Sequence, residues 1–330
     1  MRTLWIGLLS LALPILAAVP LAAQTTGRPP GDGPTEVKIQ IIFLDLERVS
    51  SAEQNFTANL AYRARWKDER LRHAGPGQTF MPLSDIWHPR VQVVNQQSLQ
   101  KTLPDEARVS PEGEVATTQR FWGQFSQPMQ LHDFPFDEQT LSVEVVAAGQ
   151  EPGAVTFIAD PEGPSAVPES LSVSDWRIHA WNAHPFDFTI STAARTLPGF
   201  RIDLTAARVR RYHMVQVVLP LVMIICMSWI VFWINPANAN PRISVSVTAM
   251  LTLVAYRFAI AASLPRIAYL TRLDWFILGS SLLVFASLIE VAVTSVLCEK
   301  GRDETARRLN VWMRVVCPIA FVLVALLALA

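Results

Sequence analysis

Ser244, Thr248, Leu251, Ala255 and Phe258 recur at spacings of four, three, four and three, which sets all five on one face of a helix. Hydroxyls hold the first half of that face, and Leu251, Ala255 and Phe258 hold the second. Around a symmetry axis, such helices would present polar rings that replace part of an ion's hydration, followed by apolar constrictions that close by dewetting. Small hydroxyls at this spacing serve helix packing inside a membrane equally well. The stripe alone leaves both readings open. Its surroundings restrict the charge: residues 204–273 carry seven arginines and no aspartate or glutamate.

Other chemistry finds little support. The three cysteines, Cys226, Cys298 and Cys317, stand in or beside apolar spans, so no disulfide framework is available to an exported part. The six histidines show no paired ligand spacing, and neither a metal nor a cofactor is expected. No nucleophile–base motif or phosphate loop rises from the sequence, so no enzyme is expected. His132 and Asp133 are adjacent, a pairing better suited to structure than to catalysis. A net charge of zero implies no nucleic-acid partner.

The elements that must position the stripe follow from composition. In 330 residues with 51% apolar content, the apolar residues crowd the last third, which indicates a soluble part followed by a membrane part. Residues 1–23 read as a signal peptide: Arg2 is basic, Leu4 to Leu21 is apolar, and Leu21-Ala22-Ala23 suits cleavage before Gln24. A Gly/Pro-rich leader, 24–35, comes next.

Residues 36–211 read as an all-β sandwich. Phe56, Ala58, Leu60, Tyr62, Ala64 and Trp66 alternate with more polar neighbours, as do Phe200, Ile202, Leu204 and Ala206, and Gly/Pro turns separate such runs. Residues 212–330 form the membrane domain, with helices expected near 213–234, 243–264, 274–297 and 309–330, each long enough for a hydrocarbon core of ~30 Å. An exported sandwich puts the C-terminus on the same side, and Lys300, Arg302, Arg307 and Arg308 fit a short cytoplasmic loop. Trp229 and Trp233 suit an interfacial belt. Glu290 and Arg314 lie at similar inner depths and are expected to pair; Asp274 or lipid headgroups would partner Arg257.

An ordered set of motifs then resembles one family. Trp66-Lys67-Asp68-Glu69-Arg70-Leu71 resembles Trp-x-Asp-x-Arg-Leu, and Trp87-His88-Pro89 resembles Trp-x-Pro, with Arg90 where Asp is usual. Phe134-Pro135-Phe136-Asp137 resembles the signature loop, whose flanking cysteines fall here on Gln127 and Leu141. Leu219-Pro220, Leu264-Pro265 and Tyr269-Leu270-Thr271 complete the order. From about residue 36 onward the chain resembles a bacterial pentameric ligand-gated ion channel, of the Cys-loop receptor superfamily, lacking the cysteine pair.

The resemblance implies a homopentamer in a bacterial inner membrane, with the N-terminal domain and C-terminus on the periplasmic side. Its partners would be four identical subunits, a small-molecule agonist, permeant ions and membrane lipids. It assigns Arg242, Ser244, Thr248, Leu251, Ala255 and Phe258 to the pore, with Arg242 at the cytoplasmic mouth. Cation channels of the family usually carry a glutamate just before that arginine. Asn240-Pro241 supply none here, so chloride is the expected ion, although the usual proline-alanine pair of anion channels is missing too. Arg242 would filter nothing if it pointed away from the lumen.

Arg63 falls where glycine-, GABA- and glutamate-gated chloride receptors carry an arginine that contacts the agonist carboxylate, a bidentate chemistry that suits guanidinium. Arg65 is expected on the same face, which keeps a solvated strand charge equally open. The usual aromatic of the amine box falls on Ala148; Trp181, Phe186 and Phe188 are the available substitutes, with core packing as their ordinary role. Coupling of the two domains is expected from Glu53, Phe134, Pro135, Phe136, Asp137, Arg208, Leu264, Pro265 and Arg266, with Asp137 or Glu53 paired to Arg208. Proton gating through Glu53 or cation selectivity is the alternative within the family. A non-conducting membrane-anchored sensor is the alternative outside it.

Overall fold

The structure is a computed structural model and describes residues 26–190, 195–261 and 267–329. The expected signal peptide and Leu264, Pro265 and Arg266 lie outside those residues.

Eleven strands build two sheets: β1 Thr35–Ser50, β2 Asn55–Lys67, β3 Thr79–Pro82, β4 Val91–Val93, β5 Gln96–Lys101, β6 Glu106–Val109, β7 Glu114–Ser126, β8 Glu138–Ala147, β9 Val155–Ala159, β10 Trp176–Ile190 and β11 Arg195–Arg208. One sheet runs β3-β6-β7-β2-β1-β9 with β5 added to β7, and the other runs β10-β11-β8-β4. Period-two patterning decides which faces meet. Phe56, Ala58, Leu60, Tyr62, Ala64 and Trp66 of β2 are buried, and so are Phe200, Ile202, Leu204 and Ala206 of β11. Each large apolar side chain removed from water contributes about 1.5–3 kcal/mol, so these stripes hold the sheets face to face without a disulfide. Trp66 meets Trp87 edge-on at 6.0 Å within that core. Gly123 sits where β5 crosses β7, and a Cβ there would stand 1.9 Å from the Ser98 carbonyl oxygen.

Four long apolar helices follow: α1 Arg211–Trp233, α2 Ala239–Ala261, α3 Arg272–Glu299 and α4 Asp303–Leu329. The shortest have 23 residues, so ~35 Å at helical rise, which crosses a hydrocarbon core. In α1, Pro220 has no N–H for the preceding turn and its ring crowds the carbonyl four residues back. Residues Met214–Val218 just before it adopt a π turn, and the Val217 carbonyl accepts a 2.5 Å hydrogen bond from the Tyr256 hydroxyl of α2. Helix α3 opens on a capping box, with Thr271 and Asp274 each accepting from the other's backbone N–H. Asp274 is thereby committed to the helix start and, among the described residues, makes no ion pair with Arg257, which leaves lipid headgroups as the other expected partner.

Candidate functional site

Ser244, Thr248, Leu251, Ala255 and Phe258 are all exposed on the subunit surface, with Leu251 at 64% and Phe258 at 79%. The opposite side of α2, carrying Arg242, Ser246, Ala249, Leu253 and Ile260, packs into the bundle. One face is thus free and continuous over the length of the helix. The Thr248 hydroxyl donates to the Ser244 carbonyl at 2.8 Å, and Thr252 repeats this to Thr248. Among the described residues the Ser244 hydroxyl makes no hydrogen bond, so its proton is free for another acceptor.

Arg242 corrects an expectation. It is fully buried and does not lie on the exposed face. Its Nε donates to the Val231 carbonyl at 3.2 Å and its Nη1 to Thr294 Oγ1 at 2.7 Å. Its Nη2 reaches both oxygens of Glu290, at 3.1 and 2.9 Å, and Asn310 Oδ1 at 2.7 Å. The cause is helical: two residues before Ser244 is ~200° around the axis. One guanidinium therefore ties α1, α2, α3 and α4 together. A second expectation falls with it, because Glu290 pairs with Arg242 and not with Arg314. The Arg314 Nε donates to the Phe232 carbonyl at 2.8 Å, and its guanidinium lies over the Trp233 ring at 5.7 Å.

At the junction between domains, Arg208 grips Asp137 in bidentate fashion, Nε to Oδ1 at 2.7 Å and Nη2 to Oδ2 at 3.0 Å. Both residues are buried, and the guanidinium lies 4.1 Å from the Trp176 ring and 4.8 Å from the Phe134 ring. Glu53 is not a partner: it faces Arg48 at 3.9 Å in solvent, while Ser51 of the same turn accepts from Arg208 Nη2 at 2.6 Å. Phe136 lies 5.2 Å beneath the Arg210 guanidinium, and Pro135 follows a cis peptide bond.

The signature loop also meets residues that sequence reasoning passed over. The Tyr269 hydroxyl accepts from the Leu131 N–H at 3.0 Å, and its ring stacks on His132 at 3.9 Å. The Arg272 N–H donates to the His132 carbonyl, the Leu273 N–H to the Phe134 carbonyl, and the Arg272 side chain to Asp133 at 2.8 Å. The start of α3 is thus pinned to the loop. Tyr269 was visible as a motif residue, and the His132–Asp133 pair was visible as an unexplained neighbour.

The expected agonist residues separate. Arg63 is exposed on β2 and, among the described residues, has no ion-pair partner. Arg65 is buried: Asp160 takes both its Nε and Nη2, and Glu162 accepts from Nη1 at 2.5 Å. It is therefore structural, contrary to the expectation that it shares Arg63's open face. Burial pushes the Asp160 carboxyl up, but hydrogen bonds from Arg65 and the Glu162 N–H outweigh it and hold the group below its ordinary value. Phe186 and Phe188 share one face of β10 and meet edge-on at 6.4 Å. Trp181, an odd number of residues away, belongs to the other face. Arg201 already covers the Phe186 ring at 4.5 Å, and Gly199 lies against it. Ala148 follows β8 without a ring to offer. The aromatics do not converge into an amine cage within one chain.

Comparisons with known proteins agree with this architecture. A model described as the neurotransmitter-gated ion-channel ligand binding domain matches residues 24–193. A second, the neurotransmitter-gated ion-channel transmembrane region, matches residues 217–324. Gamma-aminobutyric acid receptor subunit alpha-2 of Bos taurus is 28% identical over 282 residues, covering 82% of this chain and 62% of its own. The Homo sapiens subunit gives the same figures, and the Rattus norvegicus subunit is 27% identical over the same length. The chain spans under two thirds of the length of these relatives, 62%.

Proposed function

Because the chain belongs to the neurotransmitter-gated ion-channel family, we propose that five identical copies assemble into an agonist-gated channel whose pore is walled by α2. The observation that carries this reading is the free face of that helix, Ser244 to Phe258, opposite a fully packed one. Fivefold repetition would turn the hydroxyls into polar rings and Leu251 into an apolar constriction. The sandwich and C-terminus would lie outside the cell membrane, with Lys300 and Arg302 inside.

Chloride is the ion we assign. Arg242 no longer supplies a lumenal charge, so the preference rests on the acid-free stretch 204–273 and on the Ser244 hydroxyls, which are free to donate to an anion. The agonist we assign is a small carboxylate held by Arg63 from one subunit against β10 of the next. The relatives are, by name, receptors for gamma-aminobutyric acid, which carries a carboxylate. Arg63's guanidinium, without an ion-pair partner among the described residues, and the occupied face of Phe186 favour recognition through the anionic end.

Closure of the sandwich around that agonist would act on α2 by two routes. The Asp137–Arg208 pair continues into α1, whose π turn holds Tyr256 of α2. The signature loop also grips Tyr269, just beyond the far end of α2. Agonist then shifts a two-state equilibrium by its differential affinity for the closed sandwich. Purified protein in a planar bilayer under a potassium chloride gradient tests the ion assignment. The reversal potential should fall near the chloride equilibrium; one near the potassium equilibrium would make the channel cationic, and silence with every candidate acid would favour a non-conducting sensor.

A further inference from the structure

The exported domain holds a cavity of about 650 Å³ that the channel reading does not use. Three separate parts of the chain enclose it: the leader around Arg28, the segment from Leu83 to Arg90 between β3 and β4, and the loop from Gly149 to Ala154 between β8 and β9. The volume is that of an ordinary small-molecule pocket. Its lining is cationic, with Arg28 and Arg90 against the single carboxylate of Glu151.

Among the described residues neither arginine has a carboxylate partner. Arg28 Nη1 donates to the uncharged carbonyls of Gly33 and Ala154, at 2.9 and 3.3 Å. The Arg90 side chain, among the described residues, makes no hydrogen bond or ion pair. Arg90 also has φ of 50°, a left-handed conformation uncommon outside glycine and asparagine. Position 90 thus holds a cation on a strained backbone. The Arg90 N–H donates to His88 Nδ1 at 3.2 Å, which leaves the His88 proton on Nε2 as a donor. Burial, then the charge of Arg90, lowers the His88 pKa. Arg195 secures the facing loop by donating to the Gln150 carbonyl.

We propose that this cavity is a second ligand site, one that takes a small organic carboxylate between the guanidinium groups of Arg28 and Arg90. The ligand would supply negative charge to balance two guanidinium groups that face a single carboxylate. Arg63 is not among the lining residues, and the site's existence does not depend on whether the chain conducts.

Titration calorimetry of the full-length assembly with succinate at low ionic strength is the test. Saturable binding is expected in an Arg63→Ala background, which removes the agonist site proposed above, and it should weaken about tenfold or more when Arg28→Gln or Arg90→Asn is added. Asn tolerates the left-handed backbone at 90, and position 28 is on the exposed leader, so neither variant threatens the fold. Absence of saturable binding in that background, or equal affinity with and without either added variant, would overturn the assignment. Sulfate bound as tightly as succinate would overturn the carboxylate class.

Discussion

Replacing Glu290 by Gln removes the only carboxylate facing Arg242 among the described residues, while leaving the shape of the cluster intact. Arg242 is 0% exposed, and its Nη2 would lose two charge-assisted hydrogen bonds of 3.1 and 2.9 Å. Removing one partner of a buried ion pair costs about 3–5 kcal/mol, since the other charge stays desolvated. Gln keeps one acceptor, which places this variant at about 3 kcal/mol, and Glu290→Leu toward the upper end. Per subunit that is large against typical stabilities of about 5–15 kcal/mol. A melt of the purified assembly, followed by tryptophan fluorescence, should drop by several degrees in Glu290→Gln and more in Glu290→Leu.

Arg242→Met combined with Glu290→Leu should recover much of the loss, because an apolar pair of similar volume is close to neutral at a buried site. The coupling between the two positions should then exceed ~2 kcal/mol in a double-mutant cycle. Because the guanidinium faces the bundle, Arg242→Gln should weaken assembly without moving the reversal potential. An unaltered melt in Glu290→Gln, together with a shifted reversal potential in Arg242→Gln, would refute the buried-hub reasoning and return Arg242 to the lumen.

Three further outcomes are expected. If the proposed channel assembles, Asp137→Asn should leave an assembly that elutes normally but loses most agonist-evoked current, since Arg208 would release the signature loop; current normalised to protein yield measures this. The Asp160 carboxyl has a folded pKa below its ordinary value, so its contribution to stability is present above about pH 4 and is lost as pH falls through that lower value. Asp160→Asn should therefore flatten the acid limb of a pH-dependent melt, and an unchanged limb would contradict the Arg65–Asp160 account. Gly279→Ala should loosen α4 from α3 at a cost of about 1–3 kcal/mol, because the new Cβ would stand 2.6 Å from Val324 Cγ1; a lower melting temperature checks it.

Much of the fold was legible because period-two and helical patterns are direct consequences of burying one face. The strand from Phe56 to Trp66 packs the residues its alternation selects. The free stripe on α2 was legible for the same reason. The burial of Arg242 is not legible from its family position, although its own spacing to Ser246, Ala249 and Leu253 marks the packed face. Depth along a helix found Glu290 and Arg314 but could not say which way each turns, and Arg242 at the same depth was overlooked. Arg65 looked like Arg63 because strand alternation describes a pair of faces and is blind to an acidic loop such as Asp160 to Glu162 folding over one of them. The grip of Tyr269 on the signature loop joins residues 138 apart, which no local pattern encodes.

The central claim is that the face from Ser244 to Phe258 borders water at a shared axis. Single cysteines at Thr248, Leu251, Ala249 and Leu253, in a background with Cys226, Cys298 and Cys317 replaced, test it with a charged thiol reagent applied during agonist-evoked current. The account predicts block at Thr248→Cys and Leu251→Cys and no effect at Ala249→Cys or Leu253→Cys. Block confined to the latter pair would contradict it.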